Sequence, residues 1–103
     1  MDYLTIFKAL ANETRLQILL WLKEPELNFP SAAPLADEHD FKDAICVGKI
    51  QEKAGMSQST TSQYLSLLQR SGLLEARRIG QWTYYRRNED TIQQLAEYIG
   101  KEL

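Results

Sequence analysis

One cysteine and one histidine in 103 residues leave this chain little chemistry of its own. Cys46 has no second thiol for an internal disulfide, which fits a reducing, cytoplasmic setting. His39 has no evident Ser and Asp partners, and there is no glycine-rich phosphate loop, so neither an enzyme nor a bound cofactor is expected. No apolar run approaches the ~20 residues that span a bilayer, and the N-terminus lacks the basic-then-apolar order of a signal peptide, so no membrane partner is expected. Repeats and low-complexity tracts are missing too. With 44% hydrophobic and 25% charged residues, the chain is expected to fold as one globular domain over residues 1–103.

A surplus of positive charge is lacking as well. Twelve Lys and Arg stand against 14 Asp and Glu, a net charge of −2 that argues against nucleic acid until it is mapped along the chain. Residues 24–47 carry −5 and residues 88–103 carry −3, whereas residues 1–23, 48–72 and 73–87 carry +1, +2 and +3. The positive charge is gathered in one stretch with acid on both sides.

Apolar residues at three- and four-residue steps predict a short helix over 3–11. Asn12 is suited to cap a second helix that runs to about Lys23, where Pro25 stops it. Leu16, Ile18, Leu19, Leu20, Trp21 and Leu22 cover most of that helix's surface, which predicts a central buried element. Residues 24–44 hold Pro25, Pro30 and Pro34 among acids and show no period, which predicts a loop of about twenty residues. Ile45-Cys46-Val47 is β-prone, and a short helix follows from Gly48 to Ala54, capped by Gly55. Ser57 then caps a helix whose core positions are Thr61, Leu65 and Leu68, and Gly72 ends it. Leu73–Ile79 and Trp82–Arg87 read as strands around the two-residue turn Gly80-Gln81, which sets Ala76 opposite Tyr85 and Glu75 opposite Arg86. A last helix from about Asp90 carries Ile92, Leu95, Ala96, Ile99 and Leu103 as one stripe. The expected fold is mainly α with a small β-hairpin. It is a winged helix-turn-helix of five helices plus wing, with a long loop between the second and third helices.

Once Thr61, Leu65 and Leu68 are committed to the core, the outward face at the start of that helix is Gln58, Ser59, Thr60, Ser62 and Gln63. A merely solvated helix face usually carries Glu and Lys for propensity. Short Gln, Ser and Thr side chains without an acid suit base edges and phosphates in a major groove. The hairpin adds Arg77, Arg78 and Gln81 near its tip, placed for phosphates or the minor groove. Arg86 and Arg87 lie farther down the strand, where pairing with Glu75 or Glu89 competes, and Trp82 reads more readily as packing than as a DNA contact. The partner implied is double-stranded DNA. The competing class is a winged helix that docks on another protein.

Three pieces resemble the ArsR/SmtB family of winged-helix regulators. They are Phe7-Lys-Ala-Leu-Ala-Asn-Glu-Thr-Arg-Leu-Gln-Ile-Leu, Ala54-Gly-Met-Ser-Gln-Ser-Thr-Thr-Ser-Gln-Tyr-Leu and Arg78-Ile-Gly-Gln-Trp-Thr-Tyr-Tyr-Arg, and they occur in the family's order. The resemblance implies a homodimeric repressor that sits on an operator near its own gene and leaves when an inducer binds. Apolar stripes on both terminal helices agree with a dimer: Tyr3, Leu4 and Phe7 could pair with Ile92, Leu95 and Ile99 across a two-fold axis. The alternative is that these stripes close the monomer's own core.

Metal-sensing relatives often have Cys-Val-Cys before the recognition helix, where this chain has Cys46-Val47-Gly48. The last helix has Asp90, Glu97 and Glu102 but no histidine, so no metal site is expected. A bridged, atypical site that makes the protein a metal-responsive repressor is the alternative. Cys46 itself reads as a buried structural thiol, a redox sensor near a helix N-terminus, or a metal ligand. Phe29 and Phe41 flank the acidic loop and could cover a pocket for a small-molecule effector.

Overall fold

Capping sets where the helices begin. In the computed structural model, which describes residues 1–30 and 40–103, α1 (Tyr3–Leu10) opens on Asp2, whose carboxylate accepts from the Thr5 N–H. The Asn12 amide oxygen accepts from Arg15 N–H at 2.9 Å to begin α2 (Glu13–Lys23). Pro25 does more than end α2. It occupies the first turn of α3 (Pro25–Asn28), where a missing N–H costs nothing. The Asn28 amide donates back to the Trp21 and Glu24 carbonyls, closing the turn onto the end of α2. The stretch expected to be irregular from Glu24 onward therefore starts with helix, and the described residues hold six helices rather than five. Residues 31–39 of that loop, with Pro34 and His39, lie outside the described residues.

β1 (Ile45–Cys46) leads directly into α4 (Val47–Ala54), one residue earlier than expected. Gly55 ends α4 at φ +66°, a conformation that strains any side-chain-bearing residue. Ser57 caps α5 (Gln58–Arg70), its hydroxyl oxygen accepting from Thr60 N–H. β2 (Leu74–Ile79) and β3 (Trp82–Arg87) pair in the register read from the turn, Ala76 opposite Tyr85 and Glu75 opposite Arg86. Gly80, at φ +64°, supplies the turn's left-handed residue. Asn88 caps α6 (Glu89–Glu102).

The sheet order is β1-β3-β2, all antiparallel. A lone two-stranded hairpin is marginal in water, and β1 turns it into a three-stranded sheet. One face of the hairpin packs Leu74 and Tyr85 into the main core with Ile6, Ile18, Leu22, Ile50, Leu65, Leu68 and Leu73. The other face carries Arg77, Ile79, Trp82, Tyr84 and Arg86, and no local pattern marks a cover for it. Phe41 and Ala44 cover it, burying Ile79 and Tyr84 in a second small cluster.

One expectation is corrected. α2 is not buried all round: Ile18, Leu19 and Leu22 face the core, while Leu16 and Leu20, one turn apart, remain 42% and 50% exposed. Among the described residues, the core packs on one side of that helix. Phe29 and Phe41 go to different clusters. Phe29 packs edge-on against Trp21 in the main core, and Phe41 lies on the sheet.

Candidate nucleic-acid interface

α4, the Gly55 turn and α5 make the bipartite unit, locked by Ile50 on the first helix and Thr61, Leu65 and Leu68 on the second, all 0% exposed. Thr61 is the polar member of that set, and its hydroxyl donates to the Ser57 carbonyl at 2.8 Å. With this face spent inward, Gln58, Ser59, Ser62 and Gln63 stand exposed together on the opposite side of α5. Thr60 differs from the other four: it is half-buried, and its hydroxyl accepts from the Ser57 hydroxyl at 3.0 Å. Its first duty is to the cap. No acid occurs anywhere in α5.

At the wing, Arg78 and Gln81 are exposed, and Arg78 Nε donates to the Gly80 carbonyl across the turn. Trp82 is 50% exposed beside the tip, so packing does not consume it. Arg77 is also exposed, but its guanidinium lies 4.6 Å from the Phe41 ring centroid and donates to the Asp40 carbonyl. Arg86 is paired with Glu75 across the strands at 3.2 Å, and Arg87 with its sequence neighbour Glu89 at 3.0 Å, as expected. The Phe41 contact is what sequence reasoning missed, because Asp40 and Arg77 lie 37 residues apart.

The terminal helices divide differently from the single stripe expected of them. Leu95 is 8% exposed and belongs to the chain's own core. Tyr3 stacks on Tyr98 at 3.7 Å between centroids, Phe7 tilts against the same ring, and Ile92 is half-buried against the core. Tyr98, three residues after Leu95, borders that stripe, but its partner Tyr3 lies on the other terminal helix, where no local spacing points to it. Leu4 and Ile99 remain 62% and 44% exposed, beside Met1 at 58% and Leu103 at 81% on the same two chain ends.

Cys46 is half-buried in the ladder opposite Tyr84 and packs against the Phe41 cluster. Burial pushes the Tyr84 hydroxyl above its ordinary 10.0, and the Cys46 sulfur adds to the effect. Among the described residues no three His, Cys, Asp or Glu side chains gather as a metal site would require. No helix there is long and apolar enough to cross a membrane.

A polar, acid-free helix held beside an arginine-bearing hairpin is the arrangement of a winged helix-turn-helix DNA-binding protein. Residues 42–76 match the family of bacterial regulatory proteins termed the arsR family. Over its whole length the chain is 48% identical to an uncharacterised HTH-type transcriptional regulator, YbzH, of Bacillus subtilis, covering 100% of both chains. It is 31% identical to the transcriptional activator HlyU of Vibrio cholerae over 91% of this chain and 70% of that one. A solved homodimeric winged helix-turn-helix DNA-binding domain from Mycobacterium bovis superposes with a TM-score of 0.64 at 32% identity, over 97% of this chain and 79% of that one. The chain therefore belongs to the ArsR family of DNA-binding transcriptional regulators.

Proposed function

We propose that the protein is a cytoplasmic, sequence-specific homodimeric repressor, with residues 1–103 acting as one DNA-binding domain whose terminal helices dimerise. The observation that carries this reading is the exposed set Gln58, Ser59, Ser62 and Gln63 on a helix without acids, next to Arg78 and Gln81. Gln side chains can pair bidentately with adenine, and Ser with either bases or phosphates. Arg77 and Thr60 join the set in secondary roles. Repression needs only that an occupied operator block the promoter, which a single small domain can do.

Fluorescence anisotropy with duplex from upstream of the protein's own gene tests the core of this. Tight binding that prefers the native duplex over a scrambled one, and falls steeply with salt, is the expected result. Equal, weak binding to both would instead favour a winged helix that docks on protein. In vitro transcription from the same duplex should fall on adding the protein; a rise would place it with activators such as HlyU is named to be.

The dimer surface is assigned to Leu4, Ile99, Met1 and Leu103, with Tyr3, Phe7 and Ile92 contributing their exposed edges. Pairing there would set two recognition helices roughly 34–36 Å apart, one DNA turn. Ile99→Glu should convert a dimer to a monomer in sedimentation velocity with the fold retained. A dimer that persists would move the interface elsewhere. The releasing signal is a non-metal one, a small-molecule effector or oxidation at Cys46. Peroxide should release DNA from the wild type and not from Cys46→Ser if oxidation is that signal, and release from both would discard Cys46 as the sensor.

A further inference from the structure

Phe41 comes from a stretch of acids and prolines, yet it is 2% exposed. Two arginines from different strands hold their guanidiniums over its one ring, Arg77 at 4.6 Å and Arg86 at 4.3 Å from the centroid. The backbone on either side of the ring takes part. Arg77 Nη1 donates to the Asp40 carbonyl at 3.2 Å, and Arg86 Nη1 donates to the Lys42 carbonyl at 3.3 Å. Asp40 and Asp43 bracket the ring with φ of 59° and 69°, left-handed values that Asp tolerates better than most residues. A strained bracket, an apolar plug and two carbonyls thus fix the planes of two cations.

The two cations differ in exposure and in distance from the turn. The Arg86 side chain is 31% exposed and lies six residues past Gly80. Arg77 is exposed, three residues from Gly80 and so within about 10 Å of the wing tip along the strand. A guanidinium already held in one plane gives up less rotamer freedom when a phosphate arrives than an arginine left to wander. We infer that Phe41 is a positioning residue for DNA binding, acting through Arg77, which it holds ready for a phosphate beside the groove that the wing enters. The inference rests on the reading of Arg77 as a DNA contact.

The test is a double-mutant cycle on DNA affinity with a salt series, using Phe41→Leu, Arg77→Gln and both together. Leucine keeps the apolar plug and removes the ring. Phe41→Leu should weaken binding roughly three- to tenfold. It should also flatten the salt dependence by about one unit of slope for each phosphate that is no longer neutralised. The double variant should bind no more weakly than Arg77→Gln alone. If Phe41→Leu costs the same factor on the Arg77→Gln background, or leaves the slope unchanged, Phe41 merely supports the fold and the inference is overturned. Arg77→Lys guards against a Phe41 variant that fails to fold, since the residue is exposed and the charge is kept while the planar stack is removed. It should weaken binding threefold or more, and wild-type affinity would overturn the inference. Wild-type protein that binds duplex tightly without any dependence on Arg77 would sink the reading of Arg77 as a contact. That outcome differs from an Arg77-dependent affinity that is indifferent to Phe41.

Discussion

Ser62→Glu should lower affinity for the operator duplex on the order of 100-fold or more while leaving the melting temperature nearly unchanged. Ser62 is exposed in the middle of the polar face of α5, with Ser59 one turn before it. On the proposed reading a carboxylate there would meet phosphates and base acceptors in place of a small hydroxyl that can donate. One spoiled contact in a groove is worth about 1–3 kcal/mol, and the proposed two-fold complex would present the change twice. Surface substitutions of this kind alter stability by only about 0.5 kcal/mol either way. Anisotropy beside a thermal melt separates the two effects. Affinity within threefold of the wild type would mean that α5 does not face the DNA through this side.

Leu65→Ala should be the reverse case, with the fold failing first and the affinity failing with it. Leu65 is 0% exposed at the centre of the core that joins α5 to the sheet. Truncating a fully buried leucine costs about 2–5 kcal/mol. That is a large part of the 5–15 kcal/mol that holds a typical domain together, roughly speaking. A domain of this size loses roughly 4–8 °C in Tm per kcal/mol, so a fall of about 10 °C or more is expected by circular dichroism. Leu67→Ala, two residues along the same helix and 38% exposed, is the internal control and should cost about 1 kcal/mol or less. Equal losses at the two positions would contradict the burial assigned to α5.

The contrast between Leu65 and Leu67 is legible in the sequence, because both belong to one helix with one period. So is the hairpin register, since a two-residue turn with glycine first fixes every pair that follows, including Glu75 with Arg86. Legibility fails where the partner is remote. Leu16 and Leu20 carry the same apolar signal as Ile18 and Leu22, but periodicity cannot say which side of α2 has a neighbour. Leu95 and Ile99 lie on one stripe, yet the chain buries the first and leaves the second to solvent. Phe41 is the clearest case. Nothing in its local sequence distinguishes it from Phe29, and only tertiary folding delivers one to the outer face of the wing and the other to the main core. The candidate site shows the same division. The outward side of α5 follows from local spacing, whereas the tether on Arg77 depends on a chain return across 37 residues.

β1 ends at Cys46 and α4 begins at Val47, with no residue between them, while Ile45 and Cys46 are laddered to Tyr85 and Tyr84 of the central strand. The wing is therefore welded to the first helix of the DNA-reading unit and does not hang as an independent arm. A joint without slack behaves as a fixed caliper: the distance from recognition helix to wing tip is set before any duplex arrives. Where the grooves did not match that gauge, the deformation would fall on the DNA. Sequence steps that never touch a side chain would then enter the affinity through the cost of bending them.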